Sequence, residues 1–129
     1  MFKPILIHME KFMLIMREDL KKLRQYTNEE RFADMHAMFE WTQSLIDAGH
    51  HVHSEPLAIS GSLVSKTDVL TDGPFIESKE GIAGYFIILA ENLRNAISIA
   101  QTCPLVKMGM AVIEVRPVLD AARLAPKPK

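Results

Sequence analysis

A single cysteine, Cys103, among 129 residues has no partner in the chain, so an intramolecular disulfide framework and a multi-cysteine zinc site are both excluded. A reducing compartment is the simplest expectation. Long apolar runs are missing too: Tyr85 to Ala90 is the longest, far below the ~18 residues of a membrane-spanning helix. Near the N-terminus, Pro4 interrupts the apolar residues, and His8 and Glu10 follow three residues later, which is not the pattern of a signal peptide. Neither sign of charge dominates, because 15 Lys and Arg face 16 Asp and Glu, and no basic field exists to hold a phosphate backbone. Six glycines and seven prolines are too few for a low-complexity chain. What is present is an ordinary globular composition, 48% hydrophobic and 24% charged. A chain of 14.6 kDa buries about two-thirds of its unfolded surface and forms one domain. The expectation is a cytoplasmic protein without a nucleic-acid or membrane partner.

Strand and helix signals alternate along the chain. Phe12 to Met16 is a five-residue apolar run between Lys11 and Arg17, the length of a buried strand. Thr27 and Glu30 have capping-box spacing, with Glu29 and Glu30 at the positive end of the helix dipole, so a long helix is predicted over about 28 to 48. Its stripe of Phe32, Met35, Phe39, Thr42 and Ile46 is expected to pack on a sheet. Trp41, Ala37 and Ala48 fall away from that stripe, with Met38 and Leu45 between, implying a second partner surface. Short strands are expected at Val52 to Ile59, Ser62 to Ser65 and Val69 to Thr71, and a central strand at Gly84 to Ala90. Leu93, Ala96, Ile97, Ala100 and Cys103 mark a second helix stopped by Pro104. Over Met110 to Arg116, Ala111, Ile113 and Val115 share one side of a last strand and Glu114 and Arg116 the other, before Pro117 ends it.

This order reads as an α+β fold, the ferredoxin-like split βαβ arrangement with an added hairpin. Its helices lie on one face of the sheet. With no helix to spare for the other face, a second copy of the chain is the simplest cover, and a homodimer is expected.

Chemistry concentrates between Asp72 and Gly84. Gly73 and Pro74 suit a tight turn that aims Phe75. One reading is a rigid turn that anchors Phe75 in the core, beside a solvated charge run. The other is a site in which Asp72 and Glu80, with His53, transfer protons while Lys79, Arg116 and Phe75 hold an anionic substrate.

Asp72-Gly73-Pro74-Phe75, Glu77, Lys79-Glu80, Gly84-Tyr85, Ala96 and Ala100 before Cys103-Pro104, and Glu114-Val115-Arg116-Pro117 together resemble the YCII-related, or DGPF-domain, family. Trp41 before Ala48-Gly49 fits the same pattern. The resemblance frames residues 11–118 as the domain, 1–10 as an N-terminal extension and 119–129 as a C-terminal tail. It implies a dimeric α/β barrel with a pocket between sheets. In the wider group, some relatives are lyases or dehydrochlorinases that act on small ring compounds through a His and Asp pair, and others sit beside sigma factors in genomes. Leu105 to Gly109 and the run His50-His51-Val52-His53 depart from the family pattern.

His51, His53 and Glu55 share strand parity, which is either a divalent-metal spacing or an exposed polar rim. The rim is the expectation, with no tightly bound metal and no cofactor. His36 reads as a boundary residue of the long helix and Cys103 as an inert core thiol. Two functions stay open: a small-molecule enzyme of lyase or dehydrochlorinase type, and a non-catalytic ligand-sensing or regulatory dimer.

Overall fold

The computed structural model describes residues 8–58, 60–71 and 80–121. The run expected at 12–16 is the middle of a ten-residue strand, β1 (Glu10–Asp19). Alternation sends Phe12, Leu14 and Met16 to one face, where they are buried, and Met13, Ile15 and Arg17 to the other, where they are half-buried. Asp19 then caps α1 (Leu20–Arg24), accepting from the backbone N–H groups of Lys21 and Lys22. The Thr27 and Glu30 capping box opens α2 (Asn28–Asp47), where both of its reciprocal bonds form. After α2 come β2 (His51–Pro56), the two short strands β3 (Ser62–Val64) and β4 (Val69–Thr71), and β5 (Glu80–Ala90). The chain continues through α3 (Leu93–Gln101) and α4 (Pro104–Lys107) into β6 (Ala111–Pro117).

Four strands make one sheet in the order β2-β5-β1-β6, every neighbouring pair antiparallel, and β3 pairs with β4 as a separate hairpin. Each crossover therefore skips a strand: the β1-to-β2 connection leaves room for β5, and the β5-to-β6 connection leaves room for β1. That is the interleaving expected of the split βαβ order. The core lies on the even face of β1, where Phe12, Leu14, Phe86 and Ile88 meet Trp41, Leu45, Ala96, Cys103 and Leu105 from the helical side. In β6, Ala111 is buried and Ile113 and Val115 pack on the same core, the parity read from the sequence.

Two expectations are corrected. The α2 stripe of Phe32, Met35, Phe39 and Ile46 is exposed, with Phe32 at 73% and Phe39 at 68%, while Trp41 and Leu45 are the residues buried on the sheet. α2 is apolar on more than one side, so periodicity alone offers two candidate faces. Trp41 decides the choice: its ring meets Phe86 edge-on at 4.9 Å, and its Nε1 donates to Thr102 Oγ1 at 2.8 Å. Trp41 therefore gives no support to an interface between copies. Pro104 does not simply stop a helix either; it stands at the start of α4, where a missing N–H costs nothing, and Cys103 is the N-cap.

Candidate functional site

The even row of β1 does not end at Met16. Glu18 is the next residue on that face, opposite Gly81 of β5 and the buried Ala111 of β6. A carboxyl thus continues a line of core side chains. It lines a cleft of about 410 Å³ between the sheet and the N-terminal half of α2, with Met16, Met38 and Phe86 as apolar walls and Met35 and Phe39 at the helix side. The α2 residues that line this cleft, Arg31, Asp34, Met35, Met38, Phe39 and Thr42, recur at three- and four-residue steps, which places them on one face of the helix. Tyr26 reaches the cleft from the turn between α1 and α2, and Arg31 Nη2 braces that turn by donating to the Leu23 carbonyl at 3.3 Å. Ser54, Glu55 and Pro56 close the side at β2.

Packing at the floor depends on Gly84. A Cβ there would sit 2.9 Å from the Glu55 carbonyl oxygen and 3.3 Å from Pro56 Cα, so the bare backbone lets β2 approach β5 closely.

Electrostatics in the cleft are uneven. Burial pushes the Glu18 carboxyl above the usual carboxylate range, and the negative charge of Asp34 adds to the shift. The Tyr26 phenol is pushed up as well, first by loss of solvent and then by the charge and hydrogen bonding of Asp34. Glu18, Asp34 and Tyr26 form one interacting set in a mainly apolar cavity, the setting in which groups that move protons are found. Cys103 stands behind it as a buried thiol, its Sγ 3.7 Å from Met38 Sδ, and burial raises its pKa, in keeping with an inert core role.

The opposite face of the sheet carries other chemistry. Glu114 accepts from Arg17 Nη2 and from Arg116 Nη1, both at 2.9 Å. The hydrogen bonds from Arg116 and then Arg17 hold its carboxyl below the usual range. Val52 is the extra residue of a bulge between His51 and His53, and it breaks the strand parity on which a shared histidine face rested. His51 turns to the helix side, its Nε2 sharing a 2.8 Å hydrogen bond with Ser54 Oγ and its ring lying edge-on to Phe86. His53 turns the other way, its ring 5.9 Å from Tyr85 and its Nε2 3.8 Å from Glu55 Oε1. His51, His53 and Glu55 are not brought together. Among the described residues, no group of three His, Cys, Asp or Glu is arranged to hold a metal ion.

Of the site residues read from the sequence, Asp72, Phe75 and Lys79 lie outside the described residues, as does the Glu80 side chain. The Glu80 backbone pairs with Asp19 and Arg116 with Met13, six residues apart on β1 or about 20 Å along the strand. Glu80 and Arg116 thus stand at opposite ends of the sheet. Arg116 is exposed and turned towards Glu114, and His53 is at the β2 edge, outside the cleft. Glu18, Tyr26 and Asp34 were not singled out by sequence reasoning. The available signal for Glu18 was its even parity with Phe12, Leu14 and Met16; for Asp34 it was its helical spacing to Arg31 and Met38.

A model of the YCII-related domain matches residues 11–121, and the chain belongs to that family. No curated protein matches. Among solved structures, the fold is similar to 5-chloro-2-hydroxyhydroquinone dehydrochlorinase (TftG) from Burkholderia phenoliruptrix AC1100, in complex with 2,5-dihydroxybenzoquinone. That similarity has a TM-score of 0.54 at 16% identity, and it covers 88% of this chain and 97% of the other. It is a likeness of fold. No described helix is long and apolar enough to cross a membrane.

Proposed function

We propose that the chain binds a small, largely apolar ring compound in the cleft between α2 and the sheet, and that Glu18, with Asp34 and Tyr26 behind it, gives or takes a proton there. The observation that carries this reading is the Glu18 carboxyl, placed by strand alternation at the end of a buried apolar row and beside a second carboxylate. A carboxyl with a raised pKa is a stronger base when ionised and holds its proton to higher pH than an ordinary carboxyl. In a lyase-type elimination, a carboxylate takes a proton from the carbon next to the one bearing the leaving group. The C–H pair becomes the new π bond, and the leaving group departs with its own bonding pair. The fold shared with a dehydrochlorinase favours this class of chemistry, and apolar walls favour a ring substrate.

The same proposal includes a homodimer. Met13, Ile15, Tyr85, Ile87 and Leu89 are half-buried on the face turned away from the helices, an apolar strip flanked by the Arg17-Glu114-Arg116 set and by His53 and Glu55. A second sheet laid on that strip makes the dimeric barrel, and its interface should exceed about 1,000 Å² in total.

Thermal-shift titration with small ring compounds, 2,5-dihydroxybenzoquinone among them, tests the cleft. A ligand that stabilises wild type and fails on Phe39→Ala supports it; Phe39 is mostly exposed, so that variant should fold. Stabilisation unchanged in Phe39→Ala and in Glu18→Gln places the ligand elsewhere. Light scattering that returns 14.6 kDa at micromolar concentration removes the homodimer.

A further inference from the structure

The charges around the cleft bear on what it admits. Among the described residues, two carboxylates line it, Glu18 from β1 and Asp34 from α2, against one guanidinium, Arg31. Arg31 is itself exposed and engaged with the Leu23 carbonyl at the outer turn. Glu55 borders the cleft from β2 but turns its carboxylate to His53 on the other sheet face, at 3.8 Å, while Glu18 and Asp34 share the cleft with Tyr26, whose phenol hydrogen-bonds Asp34. Among the described residues, two cations close to Glu18 in the chain are engaged elsewhere: Arg17 binds Glu114 on the opposite sheet face, and Lys22 Nζ reaches the Gly109 carbonyl. The walls add a second preference, because Tyr26, Phe39 and Phe86 present aromatic faces or edges and Met16, Met35 and Met38 present polarisable sulfur. Aromatic faces attract cations that have lost part of their hydration, and an apolar cavity strengthens any charge pairing inside it.

We infer that the cleft selects an organic cation, a primary amine on an aromatic or aliphatic ring, and rejects the corresponding carboxylate. This rests on the cleft being the ligand site, and it names the ligand's charge. An ammonium set between Glu18 and Asp34 meets both carboxylates in one contact. It also relieves their mutual repulsion, which no neutral ligand does. An anion of the same shape brings a third negative charge into a partly desolvated cavity, where like charges raise one another's cost. Because burial and Asp34 raise the Glu18 pKa in the empty cleft, a bound ammonium should lower it again, and affinity should rise with pH over the range in which Glu18 titrates.

Calorimetric titration with three probes of one shape, phenethylamine, 2-phenylethanol and phenylacetate, tests this directly. The amine should bind at least about tenfold more tightly than the carboxylate, the effect of roughly one added charge-assisted contact. Its affinity should rise with pH above the ordinary glutamate value of 4.5, with proton release detected by comparing buffers of different ionisation enthalpy. Glu18→Gln should abolish the proton release, and Asp34→Asn should cut the preference for the amine. Equal or tighter binding of phenylacetate, or amine binding that is unchanged in both variants, overturns the charge selection and leaves the cleft as a ligand site. Failure of all three probes to bind saturably overturns both.

Discussion

The two faces of the sheet are built from the same strands and differ in what each alternate residue meets. On one face Phe12, Leu14, Phe86 and Ile88 are sealed beneath α2, α3 and α4; on the other Met13, Ile15, Tyr85 and Ile87 are half-covered by their own neighbours and bordered by charge. The covered face ends in the cleft, where the seal opens and Glu18 takes the place of a hydrocarbon. The open face ends in paired surface ions. A carboxyl shifted by burial belongs to the first setting, and one held down by arginines belongs to the second. Site chemistry here follows the cover, not the residue type.

The largest effect should separate the faces outright. Leu14→Ala empties a fully buried position and should cost about 3 to 5 kcal/mol in chemical denaturation, whereas Ile15→Ala, one residue along and half-covered, should cost about 1 kcal/mol. Equal costs at a concentration where the protein is monomeric would mean that the second face is covered from within the chain. Next in size is Gly84→Ala, whose new methyl meets the backbone of β2 and should cost about 1 to 3 kcal/mol. Gly81→Ala should cost less, because its nearest neighbour at 2.9 Å is the tip of the Leu20 side chain, which can turn aside.

Smaller again is Trp41→Phe, which keeps a ring against Phe86 and removes the donor to Thr102. A loss of about 1 kcal/mol is expected, and combining it with Thr102→Val should add little, a double-mutant cycle that reports the hydrogen bond itself. The smallest effect sharpens the comparison most. The Glu18 pKa is higher folded than unfolded, so its contribution to stability is complete in acid and is lost as pH rises through the folded value. Glu18→Gln should therefore match wild type near pH 4 and become the more stable of the two by about pH 7, measured by thermal unfolding across that range. An unchanged difference would place the Glu18 carboxyl in ordinary solvent.

Much of this was legible along the chain. The capping box at Thr27 and Glu30 marked the start of α2, the apolar run at Phe12 to Met16 lay within β1, and the parity of Ala111, Ile113 and Val115 in β6 held, because each is a local signal whose physics is complete within a few residues. The order of elements also constrained the sheet, since two crossovers that each skip a strand can interleave in few ways. Other features depended on partners distant in sequence. Which apolar side of α2 turns inward was settled by Trp41 meeting Phe86 and Thr102, residues 45 and 61 positions further on. One bulge at Val52 sent His51 and His53 to opposite faces, a change that alternation counted along the chain does not register. Glu18, Asp34 and Tyr26 carry no local mark of a site; they meet only because the turn after α1 and the first half of α2 fold over the end of β1. Local backbone preference and side-chain period determined the elements. Burial, and with it the chemistry of Glu18, was decided only by tertiary structure, because desolvation depends on everything that surrounds a group and not on its neighbours in the chain.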